Sequence, residues 1–298
     1  YIITTIIKKR SNMTRSIAVF GGNGFLGRKI CEVGTYKGYT VTSFSRSGQP
    51  PKAVLHQPWV QNVSWQKADI FQPNELGLKL SQFDTVVHSI GILFEDQSYK
   101  NSMNSSAANG FSGLGNGASL LVNDARKLAN AVMGSNPMQK DKKWMSYEAV
   151  QRDSAVNLAK EYAQARETSE GVNVDAGNFV YISADQNPPI VPQRYITTKR
   201  EAEAIISKIP QLRTIIMRPG VMYDELHDMG MTKRDVIMKG LRFAVGVKKT
   251  TLGDSFLSSL IRPVVSTTQV AEALFEKLEQ PEFKGVVPVE VIEKELNV

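Results

Sequence analysis

The chain has 298 residues, 42% of them hydrophobic, which is enough for one large α/β domain with a sizeable core and too few for two full ones. Its formal net charge of +7 is modest, and no nucleic-acid module or basic stripe interleaved with aromatics accompanies it, so no nucleic-acid partner is expected. A single cysteine, Cys31, excludes an internal disulfide, and no run approaches the roughly 20 apolar residues that a membrane-spanning helix needs.

No acidic residue occurs before Glu32, while Lys8, Lys9, Arg10, Arg15, Arg28 and Lys29 all do. Residues 1–14 combine that basic, acid-free character with Ile, Thr and Ser, as mitochondrial transit segments do, and are set aside as a leader or disordered segment. A chain whose own start is Met13, with a foreign extension before it, is the other reading. The fold is expected in 15–298, as one nucleotide-binding unit.

From there, apolar runs of strand length alternate with helical patterns. Strands are expected at Ile17–Phe20, Thr40–Phe44, Val63–Lys67, Thr85–Ser89, Phe179–Ser183, Thr214–Arg218 and Val286–Val289. Helices are expected at Leu26–Tyr36, Tyr147–Arg166, Thr198–Lys208 and Thr268–Leu278. This alternation predicts an α/β fold with a Rossmann-type, doubly wound parallel sheet and a small C-terminal substrate-binding region. Asn101–Gly117 is almost wholly Asn, Ser, Gly and Ala and reads as a flexible insert, followed by a short helix at Leu120–Met133 and a polar connection at Asn136–Lys143.

The strongest local signal is the strand Ile17–Phe20 running through Gly21, Gly24, Phe25, Leu26 and Gly27 into a helix. Gly21 permits the tight turn, Gly24 lets backbone approach a pyrophosphate, and Gly27 lets the helix pack closely on the strand, so that phosphate meets the positive end of the helix dipole. Roughly 20 residues on, where NAD-binding folds place an acid on the ribose hydroxyls, the second strand ends Ser45-Arg46-Ser47 with no acid. Arg46 between two hydroxyls suits a 2′-phosphate, so NADP(H) is favoured over NAD(H). Asp69 and Ile70 close the third strand beside the expected adenine; Ser89 and Gly91 follow the fourth, where small residues flank a cofactor. His88 reads as a strand histidine rather than a catalyst, and no metal site is expected.

These residues, with Ser183, the Tyr195-x-x-x-Lys199 spacing, Arg218-Pro219-Gly220 and Arg262-Pro263-Val264-Val265, resemble the extended or atypical short-chain dehydrogenases/reductases over nearly all of the chain after Met13. Within them the chain is similar to the mitochondrial branch of the complex I 39 kDa subunit, and more narrowly to the fungal member associated with coenzyme Q biosynthesis. The resemblance implies a catalytic set of Ser183, Tyr195 and Lys199, with Lys199 and Pro219 also against the cofactor. Tyr195 and Lys199 lie four apart, on one face of a helix, where an ammonium lowers the phenol's pKa and lets it trade a proton with substrate oxygen. The prolines of Asn187–Pro192 place Tyr195 in the first turn of that helix.

The resemblance further implies an NADP-dependent oxidoreductase of ubiquinone biosynthesis, on the matrix side of the mitochondrial inner membrane, with coenzyme Q biosynthetic proteins as partners. A non-catalytic, cofactor-stabilised scaffold of that assembly, and a sugar-nucleotide epimerase, are the alternatives. The region 221–263 is expected to face substrate or partner. Its methionines Met222, Met229, Met231 and Met238 suit a quinone or polyprenylated precursor, and the cations of Lys233–Lys249 suit peripheral membrane contact. Ordinary core packing with a solvated basic face is the competing reading of that segment.

Overall fold

The computed structural model describes residues 15–72, 80–93, 146–167, 176–187, 191–224 and 263–294. The leader, the insert 101–117, the helix and connection expected at 120–143, and most of the region 221–263 lie outside the described residues.

Along β1 (Ser16–Phe20) the side chains of Ile17 and Val19 bury on one face of the sheet and those of Ala18 and Phe20 on the other, the period of two that a strand covered on both sides requires. β2 (Thr40–Ser45), β3 (Val63–Lys67), β4 (Thr85–His88), β5 (Gly177–Ile182), β6 (Leu212–Met217) and β9 (Gly285–Val287) join it in the order β3-β2-β1-β4-β5-β6-β9. Every pairing in this sheet is parallel. This is the doubly wound architecture expected from the sequence. β7 (Val221–Tyr223) and β8 (Val264–Ser266) form a separate parallel pair.

Helices α1 (Gly27–Tyr36) and α4 (Thr267–Glu279) cover the Ile17 face, contributing Ile30, Val33, Val270, Leu274 and Phe275 to its core. α2 (Ser154–Glu167) and α3 (Arg194–Ile206) cover the Phe20 face with Leu158, Tyr162, Ala202 and Ile206. Gly34 in the middle of α1 admits the Phe275 ring, whose Cζ would stand 2.8 Å from a Cβ there. α4 begins with a capping box: Gln269 N donates to Ser266 Oγ at 3.0 Å and Ser266 N donates to Gln269 Oε1 at 2.8 Å.

Three departures from the sequence reading have local causes. The helix expected from Thr198 begins at Arg194, because Pro192 supplies an acceptor for Tyr195 N at 2.9 Å and the β-branched run Ile196–Thr198 conceals the helical period. The last strand stops at Val287, since Pro288 follows and α5 (Val289–Lys294) starts at once. The stretch before α2 is a π-helical turn, Glu148–Asp153, and Ser154 Oγ donates back to Val150 O at 2.7 Å where it meets α2.

The strand order reverses between β1 and β4, so their carboxyl ends diverge and open a crevice there. Gly21, at φ 89°, makes the turn out of β1, and its Cβ position is 2.8 Å from Ser89 O at the end of β4. Gly27 sets α1 directly on that turn: a Cβ there would lie 2.7 Å from Gly21 C and 2.9 Å from Gly22 Cα. Gly27→Ala must displace the helix from the turn, and we expect a loss of about 1–3 kcal/mol in urea denaturation.

Candidate functional site

The glycine turn meets the first requirement of a dinucleotide cradle. A Cβ on Gly24 would meet only Gly21 O, at 3.0 Å, among the described residues, so its outer side is open to an approaching group. Gly22, which the sequence reading passed over, is enclosed instead: its Cβ would stand 2.8 Å from Ser43 Cβ and 2.9 Å from Cys31 Sγ. Behind the turn Leu26 and Gly27 are buried; Arg28 N in the first turn of α1 donates to Gly24 O at 3.1 Å, and the neighbouring first-turn amides lack intrahelical acceptors by construction. The residues present therefore fit a dinucleotide.

Around that turn the residues expected at the adenosine end are partly exposed and partly buried. Arg46 is exposed at the end of β2. Ser45 Oγ lies 3.3 Å from Ser47 Oγ and accepts from Gly48 N at 3.1 Å, while Asn23 Nδ2 donates to Ser47 Oγ at 3.3 Å and ties the two loops together. Asp69 is exposed and accepts from Phe71 N at 3.0 Å; Ile70 beside it is buried. Arg28, one residue inside α1, pairs with the buried Asp224 at the end of β7 and stands 5.8 Å from the Phe25 ring centroid. The first turn is thus fastened to the C-terminal pair of strands by an ion pair that sequence reasoning missed.

Across the crevice, α3 brings Tyr195 and Lys199 to one buried face, with Tyr195 second in the helix. Lys199 Nζ donates to Ile182 O at 2.9 Å, and lies 5.6 Å from the Tyr195 ring centroid and 5.4 Å from that of Tyr181. The ammonium stands 3.8 Å from the Cβ position of Gly91, and Gln151 Oε1 stands 3.7 Å from it. Gly91 is exposed, Ser89 half-buried and Pro219 buried, with Pro219 O accepting from Asp185 N at 2.8 Å. Both side-chain polar atoms of Gln151 are buried with no hydrogen-bond partner among the described residues, an amide carried by the π-helical turn. Nothing in its sequence context marked it.

Ser183 is placed differently from the other two. Its hydroxyl donates to Glu203 Oε1 and accepts from Arg200 Nη1 at 3.2 Å. Glu203 is itself buried and also takes Arg200 Nη1 at 2.6 Å, Arg218 Nε at 3.1 Å and Arg218 Nη2. A hydroxyl has one proton to donate, and here the Glu203 carboxylate accepts that hydrogen bond.

His88 lies fully buried in β4. Ser154 spends its proton on Val150 O, so His88 Nε2 is the donor across the 2.9 Å contact to Ser154 Oγ, and Nδ1 has no partner among the described residues. Burial, with the Lys199 charge adding to it, pushes the imidazole down to about 3, so it is neutral near pH 7. Burial likewise pushes the Lys199 ammonium down to about 7; Glu203 pulls it up and Arg200 pushes it down.

Residues 17–112 match the NAD dependent epimerase/dehydratase family. MIOREX complex component 2 of Saccharomyces cerevisiae is 37% identical over 290 residues, which are 95% of this chain and 100% of the yeast protein. The chain belongs to the family of that yeast protein. The chloroplastic protein At1g32220 of Arabidopsis thaliana is 26% identical over 93% of this chain and 76% of the plant protein. Among solved structures, the Bordetella bronchiseptica enzyme WbmG in complex with NAD matches with a TM-score of 0.53 at 13% identity, over 93% of this chain and 73% of that one. ElxO with NADP bound matches with a TM-score of 0.52 at 15% identity, over 93% of this chain and 96% of that one. At such identities the likeness is one of fold, and that fold holds NAD in one protein and NADP in the other.

These matches correct the narrower resemblance read from the sequence. They lie with the epimerase/dehydratase family and the MIOREX component, not with the complex I 39 kDa subunit or the coenzyme Q branch. The motifs behind that reading, a glycine turn, Tyr-x-x-x-Lys and Arg-Pro-Gly, are expected of the whole short-chain dehydrogenase/reductase group and so cannot separate one branch from another. Of the methionines assigned to a quinone groove, Met222 packs against the core of the Ile17 face, and Met229, Met231 and Met238 lie outside the described residues.

Two outcomes test this geometry. Gly24→Val fills the open side of the turn and should abolish nucleotide binding in calorimetry while the melting temperature stays near that of the parent protein; the Gly27 variant should do the reverse first. Lys199 binds its proton more weakly in the folded than in the unfolded chain, so the unfolded state holds more protons between about pH 7 and 10.5 and stability rises with pH across that window. Urea denaturation at several pH values should show the rise, and Lys199→Met, which keeps the apolar stem, should flatten it.

Proposed function

We propose that this protein is an NAD(P)-dependent enzyme of the epimerase/dehydratase type, whose proton-transfer pair is Tyr195 and Lys199. The observation that carries the reading is the buried Lys199 ammonium facing Gly91 at the sheet's reversal point, with Tyr195 on the same helix face. A bound nicotinamide supplies the hydride acceptor or donor. The chain does the rest. Gly21, Gly24 and Gly27 admit the pyrophosphate to the positive end of α1, and Phe25 and Leu26 present backbone to it. Ile70, Ser89 and Pro219 line the cofactor's path, and Lys199 holds positive charge beside Tyr195 so that its phenol can give or take a proton at the substrate oxygen.

Arg46, exposed beside Ser45 and Ser47, supports a preference for NADP(H) over NAD(H), since a guanidinium meets a 2′-phosphate through charge-assisted bonds. The likeness to a MIOREX complex component supports membership in a multiprotein assembly. The basic, acid-free composition of residues 1–14 supports mitochondrial targeting, with the cations of Lys233–Lys249 available for the matrix-side membrane surface.

One observation favours a second reading, that of a non-catalytic member of the assembly stabilised by its cofactor. Ser183, the third residue of the implied catalytic set, donates its one hydroxyl proton to Glu203 Oε1 and so has no free donor for a substrate carbonyl.

The test begins with native mass spectrometry of the purified protein, to identify the retained nucleotide. Small-molecule extracts are then screened for turnover by nicotinamide absorbance. For the enzyme reading, Tyr195→Phe should lower turnover by about 10²–10⁴-fold with nucleotide affinity kept. Arg46→Ala should weaken NADP(H) by at least about tenfold and leave NAD(H) unchanged, from the loss of one charge-assisted bond. Bound nucleotide with no turnover in any extract, and equal melting behaviour of Tyr195→Phe, would establish the second reading.

A further inference from the structure

Tyr195, Lys199 and Glu203 follow one another at intervals of four along α3, and all three are buried. Residues so spaced lie one above the next on a single helix face, so the row that carries the proton-transfer pair continues into a carboxylate. Glu203 is no ordinary surface acid. Its two oxygens take Ser183 Oγ, Arg200 Nη1, Arg218 Nε and Arg218 Nη2, and those residues come from the end of β5, from α3 itself and from the end of β6. Arg200 Nη2 also reaches Ala184 O at 2.9 Å and Asp185 O at 2.7 Å, which pins the strand end that carries Ser183. Because Oε1 accepts, the proton between it and Ser183 belongs to the serine, and Arg200 occupies one serine lone pair.

The surroundings of Lys199 contain no other carboxylate among the described contacts. From β4 it faces His88, which is neutral; from β5, the Tyr181 ring and the Ile182 carbonyl; from the π-helical turn, the uncharged Gln151 amide near Gly91. Tyr147 packs edge-on against Tyr195 at 6.0 Å between ring centroids. Along α3 itself it has Arg200 and Glu203, of opposite sign, with Arg218 behind the latter. A buried ammonium in apolar and neutral company loses its proton unless a negative charge stands by.

We propose that Glu203 is a positioning residue of the nucleotide site: it accepts the Ser183 hydrogen bond, leaving that serine only acceptor capacity for other groups, and its negative charge opposes loss of the Lys199 proton. The inference rests on the nucleotide reading of Lys199, and deepens it by adding a residue that touches neither cofactor nor substrate.

The decisive measurement is the titration of Lys199 in the full-length, nucleotide-free protein, followed by NMR of lysine labelled with ¹³C at Cε and assigned by its loss in Lys199→Met. The parent protein should show a midpoint near 7. Glu203→Gln should move it down by about one unit, as expected for removal of an adjacent opposite charge, and Glu203→Asp should restore most of it. Arg200→Gln should move the midpoint up, because Arg200 opposes the charge on Lys199; its half-exposed side chain makes this variant the safeguard if Glu203→Gln fails to fold. NADPH affinity measured across the same pH range should fall as Lys199 loses its proton, with the Glu203→Gln curve displaced several-fold toward weaker binding near pH 7. An unmoved Lys199 midpoint in both Glu203→Gln and Arg200→Gln overturns the proposal and leaves Glu203 a purely structural ion-pair partner. Absence of NADPH binding by the parent protein overturns the nucleotide reading, while the Lys199 titration separately decides whether Glu203 holds that charge.

Discussion

A helix sitting on a peptide turn with no side chain between them is the contact on which the site depends. Gly27 presses against the carbonyl group of Gly21, and Gly22 lies so close over Ser43 and Cys31 that neither glycine has room for a methyl group. This proximity aims the start of α1 at the crevice between β1 and β4, where the strand order reverses. The same reversal sets the ends of β1 and β4 on opposite walls of that crevice. α3, packed on the face that includes Phe20 and Phe179, then brings Lys199 toward Gly91. The backbone supplies the phosphate end of the site by close packing, and the side chains supply its chemical end by burial.

Burial also explains why the polar residues there form such uneven company. Among the described residues, Gln151 and His88 Nδ1 are enclosed without partners, whereas Glu203 has four donors. A low-dielectric interior strengthens satisfied contacts and penalises unsatisfied ones. The saturated side, around Glu203, holds strand ends and helix in place. The unsaturated side, by Gly91, is where an incoming polar group has hydrogen bonds to gain.

The sheet was legible because its central strands are buried on both faces and therefore appear as short, apolar runs, and the glycine turn because three glycines between a strand and a helix have few other uses. Tyr195 and Lys199 were legible from their spacing, and Pro192 from its effect on where the helix could begin. The strands β7 and β8 escaped notice: each has three residues, too few for a period to show. Glu203 was readable in principle as the next step of the Tyr195–Lys199 series, but its partners Arg200 and Arg218 come together only through the fold. The pair Arg28–Asp224 spans 196 positions in the chain, and no local pattern announces it. The branch within the superfamily was misread for a related reason: residues that hold a nucleotide are shared by many proteins that do different things with it.

Cys31 offers a consequence of another kind. It is the sole thiol in 298 residues, fully enclosed between α1 and the glycine turn, and burial raises its pKa so that the unreactive protonated form prevails. A maleimide or disulfide reagent therefore meets a silent protein while the turn is closed. Labelling at this one address requires the thiol to be uncovered, by local or by global opening. Labels placed elsewhere by mutation can be attached selectively under native conditions, and the native thiol remains in reserve as a clock for such opening.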